Sequence, residues 1–405
     1  MDLKQPIDIT AVNGYLRKYQ KELIALDKND ANEFLQHLTP YPGITDSVEL
    51  SRVEGGKISS RYNGVFIGNT NLGKIVPRRL IVRPVVAEME DEPERYRRAY
   101  ITEVPGELRK KHPFEGWLIQ HGINIASDDL YNAAITSKYD ASSEDNKGIE
   151  TAFDGLGTIF EQEKAESRIS FSAGNVFPTG EITRANVGDK LLEMYRSMPN
   201  TFRKKKNIKM FISGAISDMY QDWLKDESVV LIGDDPKTRK ILRGTDGKCE
   251  LVVINNLPDN SQFVLLTTKN NVFYGFDKAS DFRSMAPVEA GKPYHFTASM
   301  KYVIGFQVAS VHKSELCVND QPLFPDTKGS VKITIDTAEA ITAGAKWRFE
   351  GETTWRNSGT TAEKPAGAYS VEFNSATGYT APEKKMLLVV SDTTMNFNYE
   401  YTKSE

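Results

Sequence analysis

The most regular pattern in the chain starts at Tyr294. There "YHFTASMKYVIGFQVAS" places Phe296, Ala298, Met300, Tyr302, Ile304, Phe306 and Val308 at every second position. Unbroken alternation of this length predicts one long strand with a single apolar face. Upstream, "NVGDKLLEMYRSMP" sets Val187, Leu191, Tyr195 and Met198 on one helical stripe, and "NIKMFIS" follows as a strand. A second helix, "AISDMYQDWLKDE", aligns Ile216, Met219, Tyr220 and Trp223. Strand-like runs "CELVVINNL", "QFVLLTT" and "NVFYGF" come next. Residues 186–293 therefore predict a compact α/β unit.

The segment "HPFEGWLIQHGINIASDDLYNAAITSKYD" predicts a helix with two apolar faces. Phe114, Trp117, Leu118 and Ile125 fall on one side, with Ile119, Ile123, Ala126, Leu130 and Ala134 roughly opposite. Such a helix needs cover on both sides. Before it, "RRLIVRPVVAEMEDEPERYRRAYITEV" predicts two strands, Leu80 to Val86 and Tyr100 to Val104, joined by a charged turn. Pro84 marks the first as an edge or bulged strand. After it, "GIETAFDGLGTIFEQEKAESRISF" predicts a Gly-punctuated connector, a short helix and a strand.

Two N-terminal segments lack an obvious home core. Residues 14–38 carry Leu16, Tyr19, Leu23 and Leu26 on a helical stripe that "DKND" interrupts, which predicts an amphipathic arm. "EGGKISSRYNGVFIGNTNLGK" alternates loosely and is rich in glycine, which predicts a two-stranded hairpin. A lone hairpin is marginally stable in water. At the other end, "LFPDTKGS" opens a composition change. Val331, Ile333 and Ile335 alternate, as do Trp347 and Phe349, then Tyr369, Val371 and Phe373, then Met395, Phe397, Tyr399 and Tyr401. Residues 329–405 thus predict a small β-sandwich.

Charge and chemistry narrow the function. Lys+Arg 51 against Asp+Glu 55 is close to balance and argues against a DNA-wrapping or membrane-hugging protein. Cys249 and Cys317 form no ligand pattern and predict buried thiols made in a reducing cytosol. The N-terminal residues have no signal-peptide pattern and no long apolar run occurs, so a soluble protein is expected. His37, His112, His121, His295 and His312 lack metal-ligand spacing. "EGGKIS" is not a phosphate loop, "FRKKKN" at 202–207 predicts a solvated turn, and Asp234 and Asp235 in "GDDPKTR" predict a turn. No catalytic residue, cofactor site or metal site is expected.

An arm, a hairpin without a core, a doubly apolar helix, an α/β unit and a very long strand resemble, in that order, the major capsid proteins of tailed bacteriophages with the Hong Kong 97-type fold. The resemblance implies an α+β chain divided into an N-terminal arm (1–50), an extended-loop hairpin (51–78) and a peripheral domain with its spine helix (79–185). An axial domain (186–293) and a returning long strand (294–328) follow. The tail resembles small immunoglobulin-like repeats through "GAKWR" and "GAYSVEF".

In this family the extended loop lies across an adjacent subunit. The resemblance therefore implies contacts between copies through Lys57, Arg61, Tyr62, Phe66, Leu16 and Leu23, burying on the order of 2,000 Å² per neighbour. Heterologous contacts of this kind close into hexamers and pentamers and then an icosahedral head around double-stranded DNA, held without sequence-specific contacts. Expected partners are copies of the chain, a separate scaffolding protein and a portal, with a host-surface glycan as an option for the tail. The expected setting is the virion capsid, assembled in the host cytoplasm. Lys57 and Asn63, Asn69 or Asn71 would suit an isopeptide weld, but non-covalent locking is expected. An encapsulin-like compartment and a glycan-binding surface protein are the alternatives. Trp347 is expected in the core and Trp355 exposed.

Overall fold

The long alternating strand is the axis of one half of the molecule. In a computed structural model of the chain, β11 (Phe296–Val308) buries every second side chain, and Phe296, Ala298, Met300, Tyr302, Ile304, Phe306 and Val308 are each at most 5% exposed. The structure describes residues 34–54, 74–104, 106, 109, 113–142, 148–226, 240–283, 285–288 and 295–404. Helix and strand occur in comparable amounts, 28% and 34%, so the chain is of mixed class. It divides into two compact units, 1–156 with 272–309, and 157–271 with 310–405.

In the first unit, elements numbered in chain order are β1 (Thr39–Pro42), β2 (Ser47–Glu54), β3 (Lys74–Ile81), β4 (Arg83–Asp91), α1 (Arg97–Glu103), α2 (Phe114–Thr136), β9 (Val272–Phe276), β10 (Ala286–Val288) and β11. β11 pairs antiparallel with β4, β10 and β9, and β9 pairs parallel with β1. β4 has no other partner among the described residues, which fits Pro84 on an edge. The run from Leu80 to Val86 is not one strand: it breaks at buried Val82, whose N–H donates to the Asp46 carbonyl oxygen.

Two sequence expectations fail here for physical reasons. Tyr100 to Val104 is helical, in α1. Its β-prone residues are overridden because Tyr100 is anchored from one side by Phe114 and Trp117, at ring distances of 5.3 and 5.8 Å. "RISF" at 168–171 is turns, held by the Asn175 side chain, whose Oδ1 accepts from Ser170 N and whose Nδ2 donates to the Arg168 and Val311 carbonyl oxygens.

The second unit contains α3 (Leu156–Ala165), β5 (Val176–Phe177), α4 (Val187–Ser197), α5 (Asn200–Arg203), β6 (Ile208–Ser213), α6 (Gly214–Asp226), β7 (Cys249–Ile254), β8 (Val264–Thr268) and β12 (Cys317–Asn319). The sheet order is β5-β12-β8-β6-β7, with β6 and β7 parallel across α6. Val187, Leu191, Met194, Tyr195, Ile216 and Tyr220 bury one stripe of α4 and α6 against it. The expected 186–293 boundary shifts. β9 and β10 pair in the first unit, while β12 joins this sheet, because "NVFYGF" finds its ladder on β11 and β1.

Its C-terminal part holds β13 (Lys328–Ile335), α7 (Ala338–Thr342), β14 (Trp347–Phe349), β15 (Thr361–Pro365), β16 (Gly367–Phe373), β17 (Tyr379–Thr380), β18 (Lys385–Val389), β19 (Thr394–Tyr399) and β20 (Thr402–Lys403). Sheets β15-β13-β19 and β14-β16-β18 share one core around Val331, Ile333, Trp347, Phe349, Val371 and Met395. Trp347 is fully buried, and its Nε1 donates to the Asn357 carbonyl oxygen at 3.1 Å.

Candidate assembly site

β2 and β3 form an antiparallel ribbon whose register runs from Ser47↔Ile81 at the root to Glu54↔Lys74 at the outer end. Among the described residues neither strand pairs with any other strand. The ribbon begins earlier and ends later than the expected 51–78. The hairpin's glycine-rich end, 55–73, lies outside the described residues, and so do all six expected contact residues: Lys57, Arg61, Tyr62, Phe66, Leu16 and Leu23. Of the expected arm, residues 34–50 are described. Phe34, Leu35 and Leu38 are buried, with Phe34 edge-on to Tyr131 of α2 at 5.9 Å.

The root is seated by packing and by missing side chains. Ile44, Leu50, Leu80 and Val82 cluster there with Val48, Phe273 and Val303 against them. Gly305 and Gly275 face each other between β11 and β9. A Cβ on Gly305 would stand 1.9 Å from the Ile81 carbonyl oxygen; one on Gly275 would stand 2.9 Å from both Ile44 Cδ1 and Val82 Cγ1. The pair forms a notch into which the ribbon root fits. Polar contacts brace it: Arg78 Nη2 donates to Gln307 Oε1 at 3.2 Å, and Gln307 Nε2 donates to the Arg79 carbonyl oxygen at 3.0 Å. Val76 and Ile81 remain exposed on the ribbon.

The same unit leaves apolar side chains open on α2 and β4. α2 is about 34 Å long at 1.5 Å per residue. Ile119, Ile123, Ala126, Leu130 and Ala134 are all buried. Among the described residues the opposite face is covered at its start: Tyr100 meets Phe114 edge-on, Phe114, Trp117 and His121 stack in sequence, and Trp117 Nε1 donates to Glu103 Oε2 at 3.1 Å. Ile125, expected on that face, is 50% exposed. With equally exposed Val86 it borders a cleft of about 750 Å³ that also includes Met89, Leu118, His121 and Asp129. Burial, then the charges of Glu150 and Asp128, push the Asp129 carboxyl up from its ordinary value.

Both thiols are buried, and burial pushes each up to about 12, so neither is a nucleophile at neutral pH. No group of three or more metal-ligating side chains occurs among the described residues, and no described helix is long and apolar enough to cross a membrane. In "FRKKKN", Lys204 and Lys206 are exposed while Lys205 pairs with Glu315. Asp234 and Asp235 lie outside the described residues. Trp355 is half-buried rather than exposed, because the Arg348 guanidinium covers its ring at 4.3 Å while Arg348 Nε donates to Glu372 at 3.1 Å. Trp347 lies in the core, as expected.

The notch was missed from the sequence. Glycine inside an apolar strand run, "VIGFQ" and "FYGF", is the signal for close backbone approach that marks the notch.

No family model and no curated protein matches the chain. Among solved structures it is similar to a chain of the satellite phage P4 procapsid that includes the size determination (Sid) protein, with 11% identity and a TM-score of 0.45 over 78% of this chain and 92% of that one. It is also similar to the capsid of the native GTA particle, with 10% identity and a TM-score of 0.46 over 72% and 91%. A third is the capsid of Myoviridae phage XM1, with 11% identity and a TM-score of 0.39 over 71% and 90%.

Proposed function

We propose that the chain is the major capsid protein of a tailed phage: a structural, non-catalytic subunit that assembles with copies of itself into the icosahedral head around double-stranded DNA. One observation carries the reading. The β2–β3 ribbon is rooted in its own unit, yet its ladder continues outward as two strands with no third among the described residues. A two-stranded ribbon gains little by itself in water, so its outer part is stabilised by a surface it does not own. A neighbouring copy supplies that surface, through 55–73 and the N-terminal arm, with Lys57, Arg61, Tyr62, Phe66, Leu16 and Leu23 at the contact.

In finer terms, the ribbon takes the place of the extended loop, β4, β11 and α2 that of the peripheral domain, and the β6-centred unit that of the axial domain. The paired three-stranded sheets take the place of an immunoglobulin-like appendage. Scaffolding protein, portal and assembly in the host cytoplasm complete the proposal.

Electron microscopy of the purified chain tests it, alone and with its scaffolding protein. Capsomer rings or closed shells are expected. A variant in which 55–73 is replaced by Asn-Gly should keep the parent's circular dichroism and melting temperature and form neither. A parent that stays a monodisperse monomer under all these conditions overturns the reading, as does a loopless variant that still closes shells.

A further inference from the structure

The tail reads in sequence as an independent unit, but its connection is unlike a tether. A flexible linker is rich in glycine and serine and leaves its backbone groups to water. The connector "QPLFPDTK", 321–328, instead holds two prolines, each fixing its own φ, and is bonded along its length.

On the α/β side, Leu323 is 2% exposed, and its carbonyl oxygen accepts from Ser261 Oγ at 2.9 Å, with Ser261 itself fully buried. Asn260 Nδ2 donates to both Asp326 carboxylate oxygens, at 3.2 and 3.3 Å. At the bend, Thr327 donates twice to the Phe324 carbonyl oxygen, from N at 3.3 Å and from Oγ1 at 2.6 Å. On the β side, the Thr327 carbonyl oxygen accepts from Ala366 N at 2.9 Å, and Thr327 Oγ1 meets Ser391 Oγ at 2.5 Å. Asp392 N then donates to the Lys328 carbonyl oxygen at 2.9 Å, where β13 begins.

One packing observation agrees: Ala165, at the end of α3, packs against the core of the paired sheets.

We infer that residues 323–328 form a rigid elbow, with Thr327 as its pivot, and that the C-terminal β-part travels as one body with the α/β part of its unit. The tail is then a fixed post whose outer face, carrying Arg348, Trp355 and Glu372, points in one direction set by the fold. This inference does not depend on what the chain assembles into.

Double electron–electron resonance between nitroxides on the full chain tests it, with labels at exposed positions on the two sides, E193C and T353C, and labelled chain diluted into unlabelled chain. Cys249 and Cys317 are buried and leave the labels selective. A single narrow distance peak is expected. Thr327→Gly with Ser391→Ala should broaden the distribution about twofold, as expected when a bonded connector becomes a coil, and Asn260→Ala should broaden it in the same direction if the double variant does not fold. A broad distribution in the parent overturns the single-body inference. A distribution equally narrow in every folded elbow variant overturns the role given to the elbow.

Discussion

Gly305 and Gly275 show how much of the ribbon's placement rests on two hydrogens. An alanine at 305 would drive its methyl into the Ile81 carbonyl oxygen, which is backbone and cannot rotate aside. Gly305→Ala is therefore expected to cost about 1–3 kcal/mol, the range for overpacking, and urea denaturation should show the lowered midpoint. At Glu352 the argument is electrostatic. Hydrogen bonding to Arg356, and then to Lys364 at 2.6 Å, holds its carboxyl down to about 2 from an ordinary 4.5, against the opposing effect of burial. A carboxyl lowered in the folded state contributes stability that is complete above its unfolded pKa and lost as the pH falls through the folded one. Melting of the C-terminal sheets should thus weaken between pH 4.5 and about 2, and Glu352→Gln should flatten that slope. An unchanged acid profile in the variant would place the sensitivity elsewhere.

At the scale of elements, legibility followed periodicity. β11, α4, α6, β6, β7 and β8 lie where the patterns put them: β11, α4 and α6 each bury one regular stripe, while β6 and β8 are apolar runs buried on both faces. α1 was illegible because nothing in "RRAYITE" outweighs its strand-prone residues; the helix exists because Tyr100 has rings to lie against. At seven residues it is too short to persist on its own, and Tyr100 is its one buried side chain. Tyr100→Ala is expected to release it at a cost of about 3 kcal/mol. Hydrogen exchange reads this at the Val104 amide, which donates to the Tyr100 carbonyl oxygen at 2.9 Å. Retained protection there would mean that the charged turn, including the Arg97–Glu94 pair, holds the helix instead. The middle of α2 poses a different limit. Periodicity assigned Ile125 to a face needing cover, and no local rule says whether a chain supplies that cover itself.

For the molecule as a whole, the element order was legible and the grouping was not. Strand patterns do not name their partners, so β9 reads as a continuation of β8, although three residues of 3-10 turn carry the chain from one sheet to another. In the same way, the hydrogen bonds from Ser261 and Asn260 to the connector leave no periodic trace in the sequence. The proposed contact residues all lie outside the described residues, so the chain's pattern names them without placing them.

The glycine notch also fixes what can and cannot adjust the ribbon. A socket lined by side chains can swap rotamers and let its occupant settle at several angles. At Gly305 the socket is an absent atom against the Ile81 carbonyl oxygen and has no torsion to turn, so there the root can shift only with the main chain, whereas the Ile44 and Val82 side chains facing Gly275 keep rotamers with which to adjust.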